Sequence, residues 1–122
     1  MRNKMSNREI PYIRNNILHR PDGAVILRLP LRQGERTGWR DWLQDSRHTS
    51  FRFESVSGLH LIANKERRVG ATGNEHYYWI AYRSIGGKKR RVSLGKSAQV
   101  TLRRLEWAAH KLAKLALPNL EH

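Results

Sequence analysis

The sequence predicts an α+β fold, in which strands joined by short turns form a sheet and one carboxy-terminal helix covers it. Three observations lead there. Residues 50–56, 58–63, 77–85 and 88–94 are β-rich runs bounded by glycine-containing turns. Gly86-Gly87 separates the last two and supplies the residues that a two-residue hairpin turn needs. Leu102, Leu105, Ala109, Leu112 and Ala116 then recur at helical spacing, as an apolar stripe that belongs against a sheet.

The elements follow in chain order. Residues 1–20 are polar and basic and read as a flexible arm, although Ile10, Tyr12, Ile13, Ile17 and Leu18 have the spacing for a short amphipathic turn or two. Residues 21–49 read as an extension with one strand and one short helix. Pro21-Asp22-Gly23 is a turn signal, and the run from Ala24 to Leu29 is β-rich and stopped by Pro30. Residues 34–38 are a polar loop; Trp39, Trp42 and Leu43 follow at i, i+3 and i+4, the spacing of a helix whose tryptophans plug the core or lid the sheet.

In residues 50–56 the alternation puts Phe51, Phe53 and Ser55 on one face. The next strand, 58–63, has a composition that lets it run on to Arg68, and residues 69–75, with Gly70 and Gly73, read as a flexible loop. Thr101 is placed to cap a helix over residues 100–116, and Pro118 follows its last turn. Arg103, Arg104, His110, Lys111 and Lys114 lie mostly off the apolar stripe. Leu120-Glu121-His122 resembles the start of an affinity tag, so residues 118–122 carry no functional argument.

Charge narrows the function. The 122 residues carry 24 Lys+Arg against 10 Asp+Glu, a formal net charge of +14. Such an excess repels itself in a compact chain and points to a polyanionic partner, nucleic acid first and an anionic membrane surface second. The absence of cysteine excludes disulfides and thiolate metal sites and fits a reducing cytoplasm. No apolar run approaches the roughly 18 residues of a membrane span. Residues 1–8 are basic, but no long apolar segment follows, so neither a signal peptide nor a membrane anchor is expected.

Catalytic and cofactor chemistry is not expected either. The six histidines are scattered, with no His-x-x-x-His or Glu-x-x-His pair on a helix, so no metal site is expected. There is no dinucleotide or phosphate-loop glycine motif. Asp41 with Asp45, and Glu54 with Glu66, are explained as surface charges, and nothing forms a nucleophile–base pair.

The hairpin can be worked out further. A two-residue turn at Gly86-Gly87 sets Ile85 opposite Lys88, Arg83 opposite Arg90, Ala81 opposite Val92 and Trp79 opposite Leu94. One face then carries Trp79, Ala81, Val92 and Leu94 and suits the helix. The other carries Tyr78, Ile80, Tyr82 and Ser84 opposite Ser93, Arg91 and Lys89, an aromatic and cationic surface without carboxylates. A one-residue slip would exchange the two faces. Lysine and arginine on such a surface neutralise phosphates, arginine reads guanine, and tyrosine and serine hydroxyls donate to phosphate oxygens.

From Trp79 onward, the order Trp79, Gly87-Lys88, Arg90-Arg91, Leu94-Gly95 and Thr101-Leu102 resembles the amino-terminal, arm-type DNA-binding domain of phage-like tyrosine recombinases. Gly58-Leu59-His60-Leu61 is similar to the Gly-Leu-x-Leu strand that opens the sheet of that family. The resemblance covers roughly residues 50–116. It implies a three-stranded antiparallel sheet, with room for an extra strand, packed on one carboxy-terminal helix and holding its open face in the DNA major groove. On this division residues 50–117 are the integrase-arm-like DNA-binding domain.

The chain departs from the family in three ways. Residues 64–76 are longer than the usual connection, Tyr82 and Ser84 stand where the family often has basic residues, and residues 1–49 match nothing in it. The large catalytic domain of a recombinase, with its nucleophilic tyrosine, has no room after Ala116. The Tyr-Trp-x-Ala-Tyr-Arg and Leu-Gly-Lys-Ser stretches also resemble a segment of some multidomain bacterial transcription regulators.

The expectation is therefore a non-catalytic binder of double-stranded DNA, cytoplasmic and bacterial, either part of an integrase-like protein or a small stand-alone regulator of a mobile element. It needs no cofactor, small-molecule substrate or membrane. Its expected contact residues are Tyr78, Tyr82, Arg83, Ser84, Lys88, Lys89, Arg90, Arg91 and Ser93, with Lys96, Arg103 and Arg104 gripping flanking phosphates and Lys65, Arg67 and Arg68 as an outer set. Two rivals stand beside it. One is an RNA or single-strand binder that stacks bases on its aromatics. The other is an assembly domain that docks a protein through the helix or the Trp39/Trp42 segment.

Overall fold

The computed structural model describes residues 9–32 and 34–116. The first part of the basic arm and the tail from 117, with Pro118 and the tag-like end, lie outside the described residues. The strands are β1 (Tyr12–Arg14), β2 (Ile17–His19), β3 (Val25–Arg28), β4 (Ser50–Glu54), β5 (His60–Val69), β6 (Glu75–Ile85) and β7 (Lys88–Gly95), and the helices α1 (Trp39–Gln44) and α2 (Leu102–Ala116). The strands form one sheet in the order β3-β2-β1-β4-β5-β6-β7. All neighbours are antiparallel except β1 and β4, which run parallel through Tyr12↔Arg52 and Ile13↔Phe53.

The α+β class and the carboxy-terminal helix match the expectation, but the sheet does not. It is a seven-stranded mixed sheet, not three antiparallel strands. The extra strands come from the segment expected to be a mobile arm and from the extension behind it. Asn15 and Asn16 both take positive φ, 55° and 66°, which closes β1 and β2 into a tight hairpin. Asparagine tolerates that conformation better than most side chains. Ile13 and Leu18 pair across this hairpin and are fully buried, which anchors it to the core. Pro21-Asp22-Gly23 turns the chain into β3 as expected, with the Asp22 carboxylate accepting from the Ala24 amide at 3.0 Å.

The core lies on one side of the sheet. Phe51, Phe53, Leu61, Ala63, Trp79, Ala81, Val92 and Leu94 meet Leu105, Ala108, Ala109 and Leu112 of α2. Leu105, Ala109 and Leu112 of the stripe predicted for α2 are therefore on its buried face, with Leu102 half-buried at its start. Thr101 caps the helix, its hydroxyl accepting from the Arg104 amide at 3.1 Å and its carbonyl from the Leu105 amide at 2.9 Å. Trp39 and Trp42 stack at 5.6 Å and both meet Phe51 edge-on. The Trp39 indole donates to the Val100 carbonyl at 2.7 Å, which ties α1 to the start of α2. The two tryptophans are thus a core plug.

The loop expected over residues 69–75 is a tight turn over 70–74, with Val69 and Glu75 at its ends already in the strands. Pairing continues to Val69↔Glu75, and a short turn is closed by Gly70 and Asn74. This pairing decides which residues share the open face.

Candidate nucleic-acid interface

The β6–β7 hairpin has the register read from the sequence, from Ile85↔Lys88 through Arg83↔Arg90 and Ala81↔Val92 to Ile80↔Ser93. Gly86 and Gly87 take φ of 60° and 81°, the positive values of a two-residue turn. Past Ile80 a bulge intervenes, so Trp79 pairs with Gly95 and not Leu94. The bulge keeps both large side chains, Trp79 and Leu94, fully buried.

Strand alternation puts Tyr78, Tyr82, Ser84, Lys89, Arg91 and Ser93 on the face away from the helices. There the tyrosines carry cations. The Lys89 ammonium lies 4.3 Å and the Arg91 guanidinium 5.7 Å from the Tyr82 ring centre. Arg68 lies 5.0 Å and Lys96 5.8 Å from that of Tyr78. Each ring thus holds two charges near its face, where the ring quadrupole attracts them. Ile80, between the two tyrosines, is only 1% exposed, so this surface has one covered apolar position within it.

Five of the predicted contact residues are not on this face: three in the hairpin, and Arg103 and Arg104, which α2 carries on the covered side. Arg83, Lys88 and Arg90 alternate with Tyr82, Lys89 and Arg91, and so project on the helix side of the sheet. Arg83 is half-buried there, with Nη1 enclosed. Charge clustering at the hairpin tip favoured these three in the sequence; strand parity places them elsewhere. Arg103 is exposed at the start of α2, while Arg104 donates to the Ser93 carbonyl at 3.2 Å and lies 4.3 Å from the Trp107 ring. The outer set divides too. Arg68 joins the open face, but Arg67 pairs with Glu75 at 2.7 Å. Lys65 donates to the Asp45 carbonyl at 3.0 Å, and burial lowers its pKa.

The open face also holds a carboxylate, contrary to expectation. Glu66 of β5 pairs in register with Tyr78 and accepts a short hydrogen bond from the Tyr82 hydroxyl. Arg91 lies 3.4 Å and Arg68 3.9 Å from the same carboxylate. The Tyr82 hydrogen bond, with the two guanidiniums, holds Glu66 below its ordinary pKa against a smaller effect of burial. The reciprocal bond raises the tyrosine.

Sequence reasoning also missed a second cluster on the same face. Tyr12 stacks on His19 at 4.8 Å, and the Arg14 and Arg52 guanidiniums each lie 5.3 Å from the Tyr12 ring centre. Arg14 donates to Glu54 at 2.9 Å. Among the described residues Arg52 has no carboxylate partner.

Among the described residues no group of acidic, histidine or cysteine side chains could hold a metal, and no helix is long and apolar enough to cross a membrane. No family model, curated protein or solved structure matches the chain.

Proposed function

We propose that the chain is a non-catalytic DNA-binding module that lays the open face of its β6–β7 hairpin against duplex DNA. The observation that carries this reading is the ladder of Lys89 and Arg91 over Tyr82 and of Arg68 and Lys96 over Tyr78, on a face that no helix among the described residues covers. The cations supply the phosphate contacts, and the exposed Ser84 and Ser93 hydroxyls supply short-range donors. A two-stranded ribbon fits the major groove, and on this reading Arg91 is the residue that contacts base edges. The resemblance to the integrase arm domain points the same way and makes a mobile-element protein of the bacterial cytoplasm the natural setting, as part of a recombinase or as a regulator.

The single-strand alternative is disfavoured by the same geometry. Cations already occupy the tyrosine rings and Glu66 holds the Tyr82 hydroxyl, whereas base stacking needs open ring faces. The assembly alternative keeps one observation, the half-exposed Trp107 on α2.

Titrating labelled protein with duplex DNA tests the reading. Amide shifts should concentrate at Tyr78, Tyr82, Lys89, Arg91 and Ser93, and unlabelled duplex should compete better than single-stranded RNA. Shifts confined to the outer face of α2 around Trp107 would contradict it.

A further inference from the structure

We infer that the Tyr12 cluster is a second DNA contact, one that grips the phosphate backbone beside the groove that β6 and β7 enter; this rests on the reading of the face as a duplex binder. The argument is one of width. Strands lie about 4.8 Å apart, so the seven-stranded sheet spans roughly 29 Å, whereas the major groove is about 12 Å wide. The groove can admit the β6–β7 ribbon but not the whole sheet.

The pair β1–β4 stands three strand spacings from the pair β6–β7, roughly 14 Å away, beyond half the groove's width and over the backbone that flanks it. On the open face of that pair stand Arg14 and Arg52, fixed against the Tyr12 ring, which is in turn stacked on His19. Packing restricts both guanidiniums before any ligand arrives, which lowers the ordering cost of a phosphate contact. The β1–β2 hairpin that carries Tyr12 and Arg14 is anchored by buried Ile13 and Leu18, so the patch moves as one body with the sheet. Glu54 holds Arg14 as Glu66 holds Arg91, so each of the two clusters pairs an arginine with a carboxylate that a phosphate can replace.

A backbone contact carries no sequence information, and this separates the two halves of the face in an experiment. Duplex affinity is measured against salt for the wild type, for Arg14→Gln/Arg52→Gln and for Lys89→Ala/Arg91→Ala, on two duplexes of unrelated sequence. The Arg14/Arg52 variant should lose about 0.9 units of log–log salt slope for Arg52, plus the part of a further ~0.9 that Glu54 leaves free on Arg14, equally on both duplexes. Glu54→Gln, which leaves every core residue in place, should steepen the slope by up to about 0.9 by freeing Arg14, and it decides the matter if the double variant fails to fold.

An unchanged slope in Arg14→Gln/Arg52→Gln and in Glu54→Gln, with Lys89→Ala/Arg91→Ala impaired, would overturn this inference and leave the proposed function standing. A wild type that does not bind duplex DNA would overturn both.

Discussion

Glu66 is the residue that most changes the picture of the face. It neutralises part of the charge on Arg91 and holds the Tyr82 hydroxyl, so the free protein keeps its central cation occupied. Glu66→Gln should release both groups, tighten duplex binding and steepen its salt dependence by up to about one unit, read from a binding isotherm at several salt concentrations. Weaker binding would mean that the carboxylate orders the face for DNA. Arg83 gives the complementary test: it lies on the helix side, so Arg83→Ala should leave the salt slope unchanged despite removing a charge from the hairpin.

A third residue links pH to stability. Arg28 and the Leu31 amide hold Glu35 down to about 2 from an ordinary 4.5. Because the folded value is the lower one, the stability Glu35 contributes is present above pH 4.5 and is lost as the pH falls from there towards about 2. The stability difference between wild type and Glu35→Gln, followed by denaturation across that range, should be constant above it and shrink within it.

At the scale of elements, the β6–β7 hairpin depends on its turn. Gly87 sits at φ 81°, where a side chain is strained, so Gly87→Ala should cost roughly 1–2 kcal/mol in chemical denaturation. The register of this hairpin was legible in the sequence because the Gly-Gly dipeptide fixes where the strands fold back, and the pattern of Trp79, Ala81, Val92 and Leu94 fixes which face is apolar. Both helices were legible for the same kind of reason, through i, i+3, i+4 spacing and, for α2, the Thr101 cap. The bulge at Trp79 was not: it depends on how Trp79 and Leu94 share the space under α2, a tertiary fact.

β1 and β2 were missed because each has only three residues, too few for alternation to stand out, whereas the β-rich run from Ala24 to Leu29 marked β3. Their one local signal is Asn15-Asn16 between Ile13 and Leu18. If that hairpin belongs to the core, Leu18→Ala should destabilise the whole protein by about 2–5 kcal/mol, whereas a mobile arm would absorb the change.

Over the whole molecule, α1 and α2 cover one side of the sheet and leave the other to two arginine–tyrosine clusters. Half of this candidate site could be read from sequence, namely the part on one continuous hairpin. The rest required the β5–β6 register, which brings Glu66 and Arg68 beside Tyr78 and Tyr82, and the parallel β1–β4 pairing, which brings Arg52 beside Tyr12. Contacts between residues that far apart in the chain leave no periodicity to find.

The central claim is that the β6–β7 face holds duplex DNA, and the salt dependence of binding to one labelled duplex tests it most directly. Wild type should show a linear fall of log affinity with log salt. A folded Lys89→Ala/Arg91→Ala variant should bind more weakly, with a slope shallower by about one to two units, one for Lys89 and for Arg91 the part that Glu66 leaves free. The same affinity and slope in the two proteins would contradict the claim.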